Sequence, residues 1–301
     1  MDERAALALL EGELDPVGDD AAVVDGLVVT TDMLHERTDF PPGTSRYTAG
    51  WRSVGASLSD VAAMGADVTA AVAAYAAPAF VADELLAFVR GARDVCELVD
   101  GEYVGGDLDG HEEFTVATTA IGRTDDPVPR SGARPGDAVC VTGTLGRSAA
   151  ALELFRRGRC EDDTDACERA NELFRFEPRV AAGRALAPNA TAMMDSSDGL
   201  ARSLHQLSEA SGCGFAVDSE AIPVDDAVRS ISERSEEALE RATTFGEDFE
   251  LIATVPEAAL ETVRDAVDVP VSTIGTVLER DEGITLDGEP LADRGYTHGE
   301  D

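Results

Sequence analysis

M-M-D-S-S-D-G-L, residues 193–200, joins an apolar run to a segment with helical periodicity. We predict a strand that ends near Asp195, a turn through 196–198, and a helix whose first N–H groups bond the Asp198 carboxylate. A capped helix alone would explain one such motif. Four further motifs also place an aspartate at a strand end, a turn or an apolar helix: G-D-D-A (18–21), T-T-D (30–32), S-L-S-D (57–60) and G-G-D (105–107). Their repetition indicates a polyacidic site for metal-dependent phosphate chemistry.

The charge balance limits the classes of function. The 301 residues include 24 Lys+Arg and 60 Asp+Glu, a net charge of −36. Because nucleic-acid binding needs a basic face, we do not expect a nucleic-acid partner. With 44% hydrophobic residues, the chain reads as a folded protein with an acidic shell, as expected in a salt-rich cytoplasm where ions screen the charges. Every basic residue is Arg, which excludes a Walker A loop, so phosphates must be met by Arg, backbone N–H groups or bound cations.

Cysteine, histidine and hydropathy patterns narrow the class further. The five cysteines form no C-x-x-C pair and there are only four histidines, so we expect reduced, mostly buried thiols and no structural zinc. The N-terminus is acidic, unlike a signal peptide. The longest apolar run, 68–82, contains Pro78 and is shorter than the roughly 20 residues of a membrane span. We therefore expect a cytoplasmic protein without a membrane partner.

The first half of the chain reads as a mixed α+β domain. The run A-A-V-V-D-G-L-V-V-T-T-D predicts a hairpin that turns at Asp25-Gly26. Pairing of Val24 with Leu27 would place Asp20 opposite Thr31 and Asp19 opposite Asp32, a group that either binds a cation or is solvated. Pro41-Pro42 makes 34–43 irregular. The further predicted elements are helix 3–11, helix 44–64 with one buried face, strand 69–76, helix 80–99, strand 102–105 running into G-G-D, and strand 113–121.

The segment 122–136 is rich in Pro, Gly and charge, and is the best candidate for a domain boundary. We divide the chain into a metal- and nucleotide-binding domain, 1–130, and a C-terminal α/β domain that completes the active site, 131–301. The elements predicted beyond the boundary are strand 138–141, helices 146–157 and 166–187, strand 214–218, helices near 225–241, a loop that feeds a strand within 245–255, helix 256–267 and two short strands.

The acidic motifs supply an all-oxygen set of candidate ligands, which hard cations such as Mg²⁺ prefer. Arg130, in the linker, could add a fixed positive charge. Phosphoryl transfer asks a protein mainly for positioning and charge neutralisation, which this composition fits. A solvated acidic surface is the alternative. The candidate ligands are Asp20, Thr30, Thr31, Asp32, Asp60, Asp107, Asp195 and Asp198.

Seven motifs occur in the order found in the thiamine-monophosphate kinases, which the chain resembles from about residue 17 to Tyr296. They are G-D-D-A-A-V-V, T-T-D-M, S-L-S-D-V-A-A-M-G-A-D, G-G-D, R-S-G-A-R-P-G-D, M-D-S-S-D-G-L and G-E-D-F-E-L. The resemblance implies direct in-line transfer of the γ-phosphoryl group of ATP to thiamine phosphate with several Mg²⁺ ions, giving thiamine diphosphate and ADP. It also implies a homodimer formed through the N-terminal sheet, with nucleotide between the two domains.

The resemblance also assigns roles to residues. All eight candidate ligands match the family's metal positions, including Asp20 where the simple hairpin register favours Asp19. Asp39 stands where many members carry a substrate-contacting His; it could attract the thiazolium ring, or be one more solvated acid. The matches to nucleotide contacts are Gly106, Asp107, Arg130 and Ser197, and the matches to substrate contacts are Glu247 and Tyr296.

Two other functions compete with this interpretation. One is another ATP-dependent enzyme of the same aminoimidazole-ribonucleotide synthetase-like superfamily, such as a selenophosphate synthetase; those enzymes use a reactive N-terminal Cys or selenocysteine, whereas the first Cys here is Cys96. The other is a non-catalytic, acidic cation-binding protein. That function would explain the charge, but not why the aspartates sit on apolar elements and glycine turns.

Overall fold

The computed structural model describes residues 18–162 and 164–295, which form two β-sheets with helices packed on them. The predicted helix 3–11 lies outside the described residues. The elements of the first half are β1 (Ala22–Val24), β2 (Leu27–His35), α1 (Glu36–Asp39), α2 (Arg46–Ala63), β3 (Asp67–Ala77), α3 (Ala82–Leu98), β4 (Glu102–Gly110) and β5 (Thr115–Arg123).

The first sheet has the strand order β1-β2-β5-β3-β4 and begins with the predicted hairpin. Val24 pairs with Leu27, as predicted, and Asp25 (φ 51°) and Gly26 (φ 76°) supply the positive φ angles of a two-residue turn. The ladder ends at Ala22, however, so the expected pairs of Asp20 with Thr31 and of Asp19 with Asp32 do not form. Both aspartates bond Arg130 instead, which avoids the facing like charges.

Strand β4 continues through the G-G-D motif, which the sequence analysis placed after the strand. It runs parallel to β3 at the edge of the sheet, and Asp107 pairs with Ala74. Glycine is required at 106, because a Cβ there would lie 1.7 Å from the Ala73 carbonyl oxygen. The motif therefore has a packing role at the sheet edge.

The second half forms a seven-stranded sheet in the order β12-β11-β8-β10-β6-β9-β7, in which only β8 and β11 are parallel neighbours among the described strands. The two-domain α+β plan is thus confirmed. The elements are β6 (Asp137–Thr142), α4 (Arg147–Asp162), α5 (Thr164–Phe174), α6 (Val180–Leu186), β7 (Ala192–Asp195), α7 (Leu200–Ser211), β8 (Gly214–Val217), α8 (Asp226–Ile231), α9 (Ser235–Thr244), β9 (Leu251–Pro256), α10 (Leu260–Ala266), β10 (Val271–Leu278), β11 (Ile284–Leu286) and β12 (Glu289–Pro290).

Several predicted boundaries in this half change. The predicted helix 166–187 is two helices, α5 and α6, because Pro178 cannot donate the hydrogen bond that a continuous helix needs there. The helices predicted near 225–241 are α8 and α9, and three strands end the described chain where two were predicted.

Helix α2 connects the two halves. The sequence predicts one buried face, but 14 of its 18 residues are buried, including Arg52 and several serines. It packs on the first sheet and also on α6 and β7 of the second half. The approach to α6 is close, because a Cβ on Gly183 would lie 2.1 Å from the Ala62 carbonyl oxygen. Side chains of α2 can therefore reach the second domain.

The structure tests the expectations for the cysteines and for membrane-spanning helices. Cys96, Cys140 and Cys213 are buried free thiols, as expected, but Cys167 is disulfide-bonded, which corrects the expectation that all thiols are reduced. Over residues 18–162 and 164–295, no helix combines the length and apolar character needed to cross a bilayer.

Candidate active site

Three carboxylates from distant segments form what we call the acidic cluster: Asp20, Asp60 and Asp195. Each contributes an oxygen that lies within 4.8 Å of those of the other two. Asp20 precedes β1, Asp60 lies near the end of α2, and Asp195 ends β7. Both oxygens of Asp195 are buried without a hydrogen-bond partner among the described residues. Because a buried carboxylate without partners is costly, this arrangement fits a bound cation.

Burial and mutual repulsion perturb these groups. Burial, followed by the charge of Asp20, raises the pKa of Asp195 to about 7. Burial, followed by the charges of Asp32, Asp195 and Asp20, raises the pKa of Asp60 well above its usual range. Burial also raises the pKa of Asp32. A divalent cation would favour the charged forms of all these carboxyl groups.

Two short hydrogen bonds orient the neighbouring ligand candidates. Thr30 Oγ1 donates to Asp60 Oδ2 at 2.5 Å, and Ser57 Oγ donates to Asp32 Oδ2 at 2.5 Å. Thr30 and Asp32 are two residues apart on β2, so both face α2. The sequence analysis did not assign Ser57, although its position three residues before Asp60 in S-L-S-D was a usable signal.

Arg130 brings the linker to the acidic cluster. Its Nη2 and Nε donate to the two carboxylate oxygens of Asp20 at 2.9 and 3.3 Å, and its backbone N–H donates to Asp19 at 2.8 Å. The sequence predicted a positive charge from Arg130 but not the role of Asp19, which anchors the linker and does not join the cluster.

Two predicted ligands, Thr31 and Asp107, are not brought to the acidic cluster, and Asp198 does not have its predicted position at the start of α7. Thr31 faces the opposite side of β2, where its hydroxyl donates to Thr118 O at 2.8 Å. Asp107 lies three strand spacings from Asp32, about 14 Å, and shares the exposed face of Ala74. Asp198 is not the N-cap of α7, because Gly199 (φ 100°) takes that position and the helix begins one residue later.

A second group of carboxylates forms the acidic loop, residues 246–250 (G-E-D-F-E). The N–H of Glu247 donates to Ser197 O at 2.6 Å, which fixes this loop against the turn that follows Asp195. Glu247 has φ 58°, a left-handed conformation that is uncommon for a non-glycine residue. The predicted substrate residue Glu247 and the predicted nucleotide residue Ser197 are therefore in direct backbone contact.

Each carboxylate of the acidic loop has partners. Arg52, which the sequence analysis did not single out, pairs with Glu247 at 2.8 Å. Asp248 accepts bonds from the N–H groups of Gly146 and Ser148, while burial raises its pKa to about 7. Glu250 forms a two-bond pair with Arg179, at 2.6 and 2.7 Å.

A cavity of about 580 Å³ adjoins the acidic loop. Its lining combines apolar side chains with acids, and Arg241 is the one basic residue among the described lining residues. The predicted substrate residues Asp39 and Glu247 both line it; Gly295 lines it too, but the third, Tyr296, lies outside the described residues. Its acidic lining residues are Asp39, Glu237, Glu240 and Glu247.

Asp39 is not an exposed, solvated acid, which was the alternative interpretation from the sequence. It is buried, with 9% of its surface exposed. Its Oδ2 accepts bonds from the His35 N–H at 2.7 Å and the Thr38 hydroxyl at 2.8 Å. The carboxylate therefore holds α1 in place beside the cavity.

The chain matches known proteins over nearly its whole length. The family models for AIR synthase related protein match residues 18–124 (N-terminal domain) and 134–287 (C-terminal domain). The thiamine-monophosphate kinase of Halobacterium salinarum is 63% identical over 298 residues, covering 99% of this chain and 100% of the relative. That of Methanospirillum hungatei is 38% identical over 307 residues, covering 99% of each chain. The Halobacterium relative is consistent with the expected salt-rich cytoplasm.

A solved structure is similar over the same length. AaThiL complexed with AMPPCP and TMP has a TM-score of 0.89 and 30% sequence identity to this chain, covering 99% of this chain and 97% of that chain.

Proposed function

The chain belongs to the family of thiamine-monophosphate kinases, which are ATP-dependent phosphotransferases, and from this premise we propose its reaction and the roles of its residues. The reaction is transfer of the γ-phosphoryl group of ATP to thiamine phosphate, giving thiamine diphosphate and ADP. The observation that carries the proposal is the 2.6 Å hydrogen bond from the Glu247 N–H to Ser197 O. This bond joins the turn that follows Asp195 of the acidic cluster to Glu247, which lines the cavity.

The acidic cluster would hold Mg²⁺. Asp20, Asp60 and Asp195 fit this ion, because hard cations prefer carboxylate oxygens and those of Asp195 have no hydrogen-bond partner among residues 18–162 and 164–295. When bound, Mg²⁺ neutralises phosphate charge and aligns the reacting phosphates. Asp32 lies beside the cluster and is oriented by Ser57. Without any Lys, Arg130 supplies the fixed positive charge next to Asp20.

The transfer needs no general base from the chain. An oxygen of the acceptor phosphate forms the new bond to the γ-phosphorus, and the bond from that phosphorus to the β-bridging oxygen breaks. The second pKa of a phosphate monoester is about 6, so the acceptor is already ionised at neutral pH. The chain's tasks are to bind both phosphates in line and to exclude water.

The cavity suits the thiamine moiety. Thiamine carries a positively charged thiazolium ring, and the cavity combines the aromatic rings of Phe174 and Phe245 with four carboxylates and one Arg. Cations are attracted both to aromatic faces and to carboxylates. Asp39 and Glu247 are the proposed polar contacts at the cavity. Tyr296 stays a proposed substrate contact on the family resemblance alone.

An uncovered face of the first sheet supports the homodimer. Val29, Met33 and Val72 are exposed on strands whose opposite face is covered by α2 and α3. An exposed apolar patch on a sheet is a typical interaction surface. Asp107 lies on this same face and cannot reach its own chain's acidic cluster. We propose that Gly106 and Asp107 serve the site of a second copy, that residues 1–130 form the dimerising domain, and that the enzyme acts in the cytoplasm.

The test of the reaction is direct. Purified protein is mixed with ATP, Mg²⁺ and thiamine phosphate in concentrated potassium chloride, and both ADP and thiamine diphosphate are measured. Equal amounts of the two products support the proposal. ADP release that does not depend on thiamine phosphate, without thiamine diphosphate, refutes it.

Complementation tests the role of Asp107. Asp107→Asn and Asp195→Asn are each expected to be inactive alone. When they are mixed and allowed to exchange subunits, about half of the dimers are mixed, and one of their two sites is intact, so activity returns to roughly a quarter of the wild-type value. A mixture that stays inactive although it contains mixed dimers would place Asp107 outside the partner's site.

A further inference from the structure

We propose that Arg52 is a positioning residue that sets the direction of the Glu247 carboxylate toward the cationic ring of thiamine phosphate. This inference rests on the proposed function and adds a specificity-determining residue to it. Arg52 belongs to the first domain and Glu247 to the second, so the inference also assigns a functional role to a contact between the domains.

The contact fixes Glu247 at two points. Arg52 Nη2 donates to Glu247 Oε2 at 2.8 Å and to the Glu247 carbonyl oxygen at 3.3 Å. One guanidinium thus constrains both the side chain and the backbone of the same residue. Because Arg is planar and presents a rigid fork of donors, such a pair defines a direction as well as an energy.

Arg52 is itself held rigidly. Only 1% of its side chain is exposed, and its Nη1 donates to the Phe174 carbonyl oxygen at 2.7 Å. Its guanidinium carbon lies 3.6 Å from the centroid of the Phe174 ring, which lines the cavity. The cavity wall and the residue that orients Glu247 are therefore one packed unit.

The backbone of Glu247 is held in an unfavourable conformation by further bonds. Its φ is 58°, and its carbonyl oxygen also accepts a bond from Ser148 Oγ at 2.6 Å. Residues held at such angles need surrounding contacts that maintain them, and they cluster at ligand-binding sites. These contacts keep Glu247 pointing along the cavity wall.

One carboxylate oxygen of Glu247 is hydrogen-bonded, and the other is open to a ligand. Oε2 is bonded to Arg52, whereas Oε1 accepts no hydrogen bond from the described residues. The side chain is 29% exposed and lines the cavity. A group that is half anchored and half open suits a ligand contact, because the anchoring is complete before the ligand arrives.

The competing explanation is that Arg52 only joins two domains. Loss of a purely structural pair would weaken nucleotide and thiamine phosphate binding alike. A positioning role makes two different demands. Only thiamine phosphate binding should weaken, and the effect of changing Arg52 should vanish once Glu247 has been changed.

The experiment is a double-variant cycle with Arg52→Gln, Glu247→Gln and the combination. The dissociation constant of thiamine phosphate is measured by calorimetry with Mg²⁺ and a non-hydrolysable ATP analogue, after circular dichroism has verified folding. Each single change is expected to raise this constant about tenfold, as for one charge-assisted contact, and the combination no further. The affinity for the nucleotide analogue is expected to be unchanged.

Arg46→Gln is the matched control. Arg46 lies on the same helix, stacks on Phe114 at 4.0 Å and pairs with Glu36 at 2.8 Å, so it reproduces the chemistry of Arg52 away from Glu247. Its variant is expected to bind thiamine phosphate as the wild type does. Additive losses at Arg52 and Glu247, or an equal loss of nucleotide binding, overturn the positioning role.

A second measurement covers the case in which Arg52→Gln does not fold. Arg52→Lys keeps the charge but loses the fork, and an analogue with a neutral thiophene in place of the thiazolium ring removes the ligand's cation. The wild type is expected to prefer the charged ligand, and Arg52→Lys to lose most of that preference; full retention refutes the inference. A wild type that neither binds nor phosphorylates thiamine phosphate refutes the proposed function, and the inference with it.

Discussion

The acidic cluster and the acidic loop lie on either side of the same turn, yet they treat their carboxylates in opposite ways. In the loop, Glu250 is paired with Arg179 through two bonds, and Asp248 accepts two backbone N–H bonds. In the cluster, Asp195 is equally buried but accepts no hydrogen bond from the described residues. Both regions are acidic, buried and close to glycine turns, so neither composition nor burial separates them.

The two regions differ in the groups that neutralise their carboxylates. The acidic loop is neutralised by the chain itself, so its carboxylates maintain structure and direction. In the acidic cluster, Arg130 pairs with Asp20, whereas neither Asp60 nor Asp195 forms an ion pair with an Arg among the described residues, which is why we propose a cation there. The unpartnered oxygens of Asp195 therefore support the proposed metal site, while ion pairs and backbone bonds hold the loop that lines the cavity and leave Glu247 Oε1 open toward it.

The largest expected effect is at Asp195. Asp195→Asn is expected to lower kcat by about a thousandfold or more, because the phosphates lose part of their metal anchor. The same variant is expected to melt at a higher temperature without Mg²⁺, since a buried charge without partners has been removed. Steady-state kinetics and thermal melts measure the two effects. Asp94→Asn, at an exposed carboxylate that accepts a bond from Tyr47, should change neither; equal losses at both positions contradict the assignment.

Glu250→Gln should behave in the opposite way. It removes the charged partner that lies 2.6 Å from the largely buried Arg179 and leaves Glu177 at 3.9 Å, so the free energy of unfolding is expected to fall by about 3 kcal/mol. Urea unfolding at fixed potassium chloride measures the loss. Added Mg²⁺ should still raise the melting temperature as much as in the wild type. A lost response to Mg²⁺ would mean that the two regions are not independent.

The two regions also differ in their response to pH. The pKa of Asp195 is raised by burial and by Asp20 from the ordinary 3.8 to about 7, so its proton competes with Mg²⁺. As pH rises toward 7, the apparent dissociation constant for Mg²⁺ should fall by about tenfold per pH unit. Above pH 7 it should level off. The folded state keeps this proton to a higher pH than the unfolded chain does. Unfolding of the metal-free protein should therefore need less free energy as pH rises from about 4 to 7.

Asp248→Asn is the control for this pH dependence. Asp248 also has a pKa raised to about 7 by burial, but its oxygens face backbone N–H groups away from the acidic cluster. The variant should flatten part of the pH dependence of stability and leave that of Mg²⁺ binding intact. Titrations of Mg²⁺ from pH 6 to 8 distinguish the two outcomes; a flattened Mg²⁺ profile would contradict the separation.

The smallest expected effect is at Asp39, whose partners make it resemble the acidic loop. Asp39→Ala is expected to raise KM for thiamine phosphate and to leave kcat nearly unchanged. The increase in KM corresponds to a loss of about 1 kcal/mol in binding free energy. The carboxylate lines the cavity but is already bonded to His35 and Thr38. Steady-state kinetics with Asp67→Asn, at an exposed residue paired with Arg184, provide the comparison. An unchanged KM would assign Asp39 to maintaining α1 alone.

The sequence was most informative where the signals are local. The Asp25-Gly26 turn fixed the register of β1 and β2, and the alternation along β2 turned Thr30 and Asp32 to one face. The same alternation would have turned Asp107 away from the cluster had β4 been predicted to continue to Gly110. The prediction stopped short because glycines in a run indicate a loop, whereas Gly106 is required by the close approach to β3.

The signals that were missed are contacts between distant residues. Asp19 does not pair within the hairpin, because its carboxylate accepts a bond from the backbone N–H of Arg130, 111 positions away. No pairing rule within the hairpin can predict that contact. Arg52 reads as an ordinary charged residue on a helix, because Phe174 and Glu247 lie 122 and 195 positions further along the chain. Local patterns cannot show that a helix is buried on all sides.

That burial of α2 has a consequence for how the molecule moves. The helix carries Asp60 to the acidic cluster and Arg52 to the acidic loop, and Gly183 of α6 lies against Ala62 at its C-terminal end. Pulling the two sheets apart would remove the contacts that α2 makes with α6 and β7, so we expect the two halves to unfold as one cooperative unit with a single calorimetric transition. We therefore expect substrates to enter by rearrangement of loops at the cavity's rim, without a hinge between the sheets, and the amides of α2 to exchange with solvent only on global unfolding.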